Sequence, residues 1–243
     1  IQNTIRQAGA KAFLHTVGGP TALTGDTGET VQVLAEAVES GGYDGLMLDL
    51  EKLRLGQEDA MTRLMGKLKT ALGGKPLYVV ADAPAWDGTV YEGYDYGLIG
   101  ENVDCLVLRV ASYKGFSGTF PTAPVEPLEE AYYVFGELSG IVDRDKLALM
   151  VSTGGVLYLN GKEKGVLSRA EVEELLAVDG AKSYYSGRYG CSYLTSSQND
   201  MEAVAWYLDG RGIEARARLA GLFGATQLCI SDLNNLPAEA PEA

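Results

Sequence analysis

Short apolar runs alternate with amphipathic stretches along most of this chain, and this alternation restricts the folds that it can adopt. Six runs have the length and composition of β-strands: residues 12–17, 45–50, 77–81, 105–110, 147–152 and 227–231. Five stretches between them have helical periodicity: residues 29–40, 58–72, 125–138, 169–176 and 212–222. Because strands and helices alternate, the pattern predicts parallel β/α units and an α/β fold class.

The second run, within YDGLMLDLEK (43–52), ends in two acidic residues. Side chains alternate along a strand, so Met47, Asp49 and Glu51 share one face while three leucines share the other. Two neighbouring carboxyl groups repel each other, so one is expected to hold a proton near neutral pH, as a general acid does. A strand that simply runs into a polar loop explains the same residues, and this alternative stays open.

Composition excludes several classes of partner. A length of 243 residues fits one α/β barrel domain, and 46% hydrophobic residues can bury a substantial core. The net charge of −13 argues against nucleic acid and fits a neutral polymer such as a glycan. The three cysteines lack CxxC spacing and His15 lies in a strand-like run, so we expect neither a metal site nor a cofactor. No apolar run is long enough for membrane insertion, and no signal peptide is visible.

Four segments resemble, in order, those of glycoside hydrolase family 18, the chitinase-like enzymes. YDGLMLDLEK resembles the DGxDxDxE signature, with Glu51 at the catalytic acid and Asp49 two residues before it. YDYGLIGENVDCLVL (94–108) is similar to the branch of spore-cortex and peptidoglycan glucosaminidases. APVEPLEEAYYVF (123–135) and WYLDGRGIEARARLAGLFGATQLCISDL (206–233) resemble later parts of the family's barrel.

The resemblance implies a TIM (β/α)8-type barrel that lacks its first two β/α units in this chain. Because a six-stranded remnant would expose strand edges, we expect the missing N-terminal segment to be supplied by the same protein or by another chain. The barrel domain is predicted to span residues 1–235, followed by a disordered tail at 236–243. A small insertion is predicted at about 155–209, with a helix capped by Ser168 and Glu171 and a hairpin turning at 197–200. The hairpin either walls the substrate cleft or shields the outside of the barrel.

The function that this resemblance implies is hydrolysis of β-1,4-linked glycans containing N-acetylglucosamine, either chitin or peptidoglycan. Family 18 catalysis is substrate-assisted and retaining: Glu51 would protonate the glycosidic oxygen while Asp49 orients the 2-acetamido group that attacks the anomeric carbon. The expected partner is an oligosaccharide or polysaccharide of this kind. The expected location is extracellular, or at the cell envelope or spore of a bacterium.

Several positions depart from the family's pattern. The third acid of the signature is replaced by Met47, and the sixth-strand motif Met-x-Tyr-Asp reads RVAS at 109–112, so that Tyr113 is the candidate for the missing tyrosine. The tryptophan of the last strand corresponds to Ser231, and a tyrosine of the seventh strand corresponds roughly to Thr153. These losses favour an alternative, a catalytically impaired, lectin-like protein that binds chitin, and a third possibility, a scaffold that binds no sugar.

The remaining candidates for substrate contact lie beside the acid pair. If Arg109 points inward, it would sit near both acids and disfavour the protonated form of the catalytic one. Trp86 and Tyr96 follow the strand at 77–81, on the loop side where barrel sites form. Aromatic rings there can stack on sugars, and ordinary loop packing is the alternative. The predicted substrate-binding residues are therefore Met47, Trp86, Tyr96, Arg109 and Tyr113.

Overall fold

The computed structural model describes residues 2–25, 27–84, 93–110, 122–198 and 201–231. The strands in these segments are β1 Phe13–Gly18, β2 Gly45–Leu50, β3 Leu77–Asp82, β4 Cys105–Arg109, β5 Leu147–Val151, β6 Gly155–Leu159, β7 Lys162–Leu167, β8 Lys182–Ser186, β9 Cys191–Gln198, β10 Met201–Tyr207 and β11 Gln227–Ile230. The α-helices are α1 Gln2–Gln7, α2 Thr27–Ser40, α3 Glu58–Ala71, α4 Tyr96–Asn102, α5 Leu128–Leu138, α6 Arg169–Leu176 and α7 Gly210–Leu222, with short 3₁₀ helices at Pro20–Leu23 and Arg144–Lys146. All six predicted strands and all five predicted helices are present.

The first sheet has the strand order β1-β2-β3-β4-β5-β11. Strand β2 pairs in parallel with both β1 and β3, and β3 pairs in parallel with β4. This confirms the prediction of parallel β/α units and of a partial barrel. On β2 the leucine face is fully covered, with Leu46, Leu48 and Leu50 at most 3% exposed. Burying three leucines fixes the parity of the strand, which directs Met47 and Asp49 to the opposite face.

The helix after β2 has one buried apolar face. Helix α3 buries Met61, Leu64, Met65 and Leu68, which recur at three- and four-residue spacing and form one apolar stripe. Helix α4 was not predicted. It begins at the cap residue Asp95, whose Oδ1 accepts a hydrogen bond from the backbone N–H of Leu98 at 2.9 Å. No helix in the described segments is long and apolar enough to cross a membrane.

The chain divides into two compact units. The first comprises residues 1–109, 137–148 and 225–227, and the second comprises 110–136, 149–224 and 228–243. The second unit contains an antiparallel sheet with the order β7-β6-β10-β9-β8, which occupies the region predicted as an insertion. On one face of this sheet lies a core that includes Val172 of α6, Leu194 and Ala205.

Two of the details predicted for this region are confirmed. Strands β9 and β10 form the predicted antiparallel hairpin, although its turn residues 199 and 200 lie outside the described residues. Helix α6 begins with the predicted capping box, in which the Ser168 N–H donates to Glu171 Oε2 at 2.7 Å and the Glu171 N–H donates to Ser168 Oγ at 3.3 Å. Strands β6, β7 and β8 were not predicted. The domain limits remain predictions, and the tail at 236–243 lies outside the described residues.

Candidate active site

The carboxyl ends of β2, β3 and β4 bring three acidic residues and one arginine together in the first unit. Asp49 is the penultimate residue of β2 and Glu51 follows that strand, while Asp82 ends β3 and Arg109 ends β4. In the strand register, Asp49 lies opposite Val80, and Asp82 lies opposite Arg109. Because the strands are parallel, their last residues meet at one edge of the sheet, which is where α/β barrels carry their sites.

Arg109 forms the centre of this cluster. Its Nη2 donates to Asp49 Oδ2, and its Nη1 donates to Asp82 Oδ1 at 3.0 Å. The same Nη1 lies 3.8 Å from Glu51 Oε1, and the side chain is 26% exposed. Burial alone would lower the pKa of Arg109, but the hydrogen bond and charge of Asp49, together with those of Asp82, outweigh burial and raise it. The guanidinium is therefore a permanent cation, and its hydrogen bonds connect β4 to Asp49 on β2 and Asp82 on β3.

Asp49 presents its two oxygens to different surroundings. Its Oδ2 accepts from Arg109 and lies 3.9 Å from Nε2 of His15 on β1. Its Oδ1 is buried, and no described residue donates a hydrogen bond to it. Leaving a buried acceptor unpaired costs about 1–3 kcal/mol. An atom kept in this state is suited to accept a hydrogen bond from a bound ligand.

Glu51 and Met47 flank Asp49 along the chain. The Glu51 side chain is 42% exposed, and its backbone N–H donates to the Gly18 carbonyl at 3.0 Å. Met47 is partly buried and lies opposite His15 on β1 and Tyr78 on β3. Asp49 and Glu51 therefore both lie near the Arg109 guanidinium, and Glu51, which follows the end of β2, is the more accessible of the two. The catalytic roles given to them from the sequence remain predictions.

The hydroxyl groups of two tyrosines form hydrogen bonds at this edge of the sheet. The hydroxyl of Tyr94 donates to the Leu50 carbonyl at 2.7 Å and lies 3.4 Å from Asp82 Oδ2. The hydroxyl of Tyr96 donates to the Asp82 carbonyl at 2.8 Å, and the two rings stack with centroids 6.0 Å apart. Burial raises the pKa of Tyr94, which therefore stays a neutral donor. Tyr96 is only 7% exposed, and the sugar contact expected of it remains a prediction.

Several of the other positions predicted from the sequence lie outside the described residues. Trp86 and Tyr113 lie outside the described residues, as do Ala111 and Ser112. Thr153 is buried at 2% exposure. Ser231 is exposed, and its backbone N–H donates to the Val151 carbonyl at 3.0 Å. The structure therefore brings Asp49, Glu51 and Arg109 together, with Met47 on the same strand.

Sequence reasoning missed two residues of this cluster, Asp82 and His15. Asp82 is the last residue of the apolar run LYVVAD and lies two residues beyond Val80, which is opposite Asp49 in the register. Because side chains alternate along a strand, Asp82 lies on the same face of β3 as Val80. A carboxylate at the carboxyl end of the neighbouring strand was a usable signal, but it needed the strand register. His15 lies in a strand-like run with no signal of its own in the sequence, and its nearness to Asp49 also depends on register.

Comparisons with known proteins find similarity to proteins named as glycosylases and chitinases. No family model matches the chain. A Bacillus subtilis (strain 168) protein named as a sporulation-specific glycosylase, YdhD, is 24% identical over 217 residues, which is 85% of this chain and 50% of that protein. The chain therefore spans half the length of this curated relative.

Solved structures extend the likeness to the fold. The chitinase from Chromobacterium violaceum matches 98% of this chain and 80% of its own, with a TM-score of 0.84 and 16% identity. The chain has the fold of a chitinase. The Bacillus cereus spore cortex-lytic enzyme SleL matches 98% of this chain and 60% of its own, with a TM-score of 0.82 and 16% identity. The YdhD structure matches 94% and 82%, with a TM-score of 0.81 and 20% identity. The resemblance to chitinase-like enzymes predicted from the sequence motifs is thus confirmed.

Proposed function

We propose that this chain is a glycoside hydrolase that acts on β-1,4-linked glycans containing N-acetylglucosamine. The observation that carries the proposal is the pair of unlike carboxyl groups at the sheet edge. Asp49 is buried, with one oxygen to which no described residue donates, and Glu51 follows two residues later and is accessible. The names of the relatives, which are chitinases, a glycosylase and a cortex-lytic enzyme, support the same substrate class.

The proposed reaction uses the two acids in different roles. Asp49 Oδ1 accepts the N–H of the 2-acetamido group and thereby turns the acetamido oxygen towards the anomeric carbon. As that oxygen forms its bond to the anomeric carbon, Glu51 gives its proton to the departing glycosidic oxygen. The negative charge of Asp49 stabilises the oxazolinium ion that forms. Water then opens this ion, with Glu51 taking back the proton, so the configuration at the anomeric carbon is retained.

The test is turnover of a chromogenic chitobioside by the wild type and by Glu51→Gln. The glutamine keeps the shape of the side chain but has no proton to give, so we expect kcat to fall by about two orders of magnitude or more. Glu101→Gln, an exposed position on α4, makes the same chemical change away from the site and should leave kcat unchanged. Equal turnover by the wild type and Glu51→Gln would refute the proposed role of Glu51.

One observation favours binding without turnover as a second candidate function. Arg109 Nη1 lies 3.8 Å from Glu51 Oε1, so the side chain proposed as the acid is paired with a cation in this structure. A lectin-like protein would bind chito-oligosaccharides with the same affinity before and after Glu51→Gln and would release no product. Calorimetric titration with chitotetraose, run beside the turnover assay, separates the two functions.

We also propose that β1 pairs with a further strand, from the preceding part of the protein or from another chain. Strand β1 is the outermost of the first sheet, and Val17, which lies opposite Asp49, is 61% exposed. A valine with this exposure beside a buried carboxylate indicates a position that a closed barrel would cover. A polymer substrate of chitin or peptidoglycan further implies action outside the cytoplasm, at the cell envelope or the spore.

A further inference from the structure

We propose that Arg109, held by Asp82, is the positioning residue that fixes the carboxylate of Asp49 with Oδ1 turned towards the ligand. This inference rests on the proposed function, because it concerns how the residue that orients the acetamido group is itself oriented. It gives roles to Asp82 and Arg109, whose contacts lead from Asp82 on β3 through Arg109 on β4 to Asp49 on β2.

The first step is the one-sided contact of Asp49. Both described cationic or potentially cationic neighbours, Arg109 and His15, approach its Oδ2. A carboxylate whose one oxygen is held by a charge-assisted hydrogen bond cannot rotate freely, because rotation would break that bond. The other oxygen, Oδ1, is therefore held in its buried position, where no described residue donates to it and a ligand N–H could supply the missing bond.

The second step is the anchoring of the guanidinium. The planar fork of arginine makes two directed contacts at once, here through Nη2 to Asp49 and through Nη1 to Asp82 at 3.0 Å. Asp82 is itself held, since Tyr94 lies 3.4 Å from its Oδ2 and Tyr96 donates to its carbonyl at 2.8 Å. The guanidinium is therefore fixed by a neighbouring strand and does not simply follow the movement of Asp49.

The third step is the replacement of a missing partner. Where the resembling signature has a third acid on the same strand, this chain has Met47, whose thioether offers no strong donor. The contact that restrains Asp49 must then come from another strand, and in the described residues it comes from Arg109 on β4. The restraint on Asp49 is thus supplied by β4, which lies two positions away from β2 in the sheet.

The arrangement predicts graded effects of two substitutions. Among the described residues, Arg109 contacts Asp49 and Asp82 and lies near Glu51. Arg109→Met removes the donor that holds Asp49 Oδ2, so the carboxylate should lose its fixed orientation. Asp82→Asn keeps that donor and weakens only the anchor of the guanidinium, so it should disturb the orientation less.

Two measurements test this. The first is the carboxyl ¹³C chemical shift of Asp49 at neutral pH in the unliganded protein, assigned with the help of Asp49→Asn. We expect Arg109→Met, which removes the hydrogen bond to Oδ2, to change this chemical shift, and Arg109→Lys and Asp82→Asn to change it less. Arg63→Met, an exposed position on α3 with the same change of charge, should leave the chemical shift unchanged.

The second measurement is the steady-state kinetics of the chromogenic chitobioside. Arg109→Met should lower kcat by about 10- to 100-fold and change KM much less. Arg109→Lys should restore part of kcat. A merely structural role would lower the amount of folded protein and leave the kcat of each folded molecule unchanged.

The outcomes separate this inference from the proposed function. If the Asp49 chemical shift changes as expected but the wild type cleaves no chitobioside, the proposed hydrolysis fails and the positioning role stands. If the wild type cleaves but Arg109→Met changes neither the Asp49 chemical shift nor kcat, the positioning role is overturned. Should Arg109→Met fail to fold, Arg109→Lys decides, and an unchanged Asp49 chemical shift with unchanged kcat overturns the positioning role.

Discussion

Tyr94→Phe, which removes one hydroxyl group beside the site, should lower the stability of the folded protein and remove a contact of Asp82. The hydroxyl donates to the Leu50 carbonyl at 2.7 Å, at a buried position, and lies 3.4 Å from Asp82 Oδ2. Phenylalanine fills the same space but leaves the carbonyl unpaired, which costs about 1–3 kcal/mol. Taking about 2 kcal/mol, a domain of this size should lose about 4–8 °C of melting temperature.

The pH dependence of that loss has a definite sign. Burial raises the pKa of Tyr94, so the folded protein keeps this phenol neutral at a pH at which the unfolded chain, with a value of about 10, ionises it. The stabilisation is thus complete below pH 10 and decreases as pH rises above it. Tyr94→Phe should remove this part of the alkaline destabilisation as well as the hydrogen bond.

The assay is thermal unfolding followed by circular dichroism, at neutral pH and between pH 9 and 11. Tyr132→Phe is the matched control, because that ring is 57% exposed and the same atom is removed. Equal melting temperatures for Tyr94→Phe and Tyr132→Phe would refute the reasoning, since they would show that the Tyr94 hydroxyl makes no stabilising contact.

Two further substitutions test local features of the chain. Arg216 is 1% exposed and donates to the carbonyls of Gly190 at 2.7 Å and Gly212 at 2.9 Å. Arg216→Met should therefore lower the free energy of unfolding, measured by urea titration, by about 3 kcal/mol. The control Arg218→Met, at a 78% exposed position, should change it by less than about 0.5 kcal/mol. Lys52 follows Glu51 with φ of 60°, so Lys52→Gly should raise the melting temperature slightly by removing about 1 kcal/mol of backbone strain, and a marked fall would contradict this.

The central part of the fold could be predicted because burial and parity agree there. The leucines of β2 alternate strictly, and the structure buries all three, so the position of Asp49 on the opposite face followed from the sequence. Asp82 was not predicted, and Arg109 could be placed near the acids only on the condition that it points inward. Their contacts depend on how three strands align, and alignment is fixed by packing over long sequence distances.

The missed elements have local reasons. Strand β7, KEKGVL, has three exposed charged residues at its start, and β8 is exposed over most of its length, so neither has an apolar run. Helix α4 contains two glycines, which disfavour a helix. A Cβ added at Gly100 would lie 2.8 Å from Val142 Cγ1, so close packing explains a glycine that local propensity disfavours.

The measurement that tests the account most directly is the cleavage of two chromogenic disaccharides that differ only at the 2-position. One is a chitobioside with its 2-acetamido groups, and the other is the cellobioside with 2-hydroxyl groups. If the substrate's acetamido oxygen is the nucleophile that Asp49 Oδ1 orients, the wild type should release the chromophore from the chitobioside alone, and Asp49→Asn should abolish most of that release. Equal release from both substrates, or undiminished release by Asp49→Asn, would contradict it.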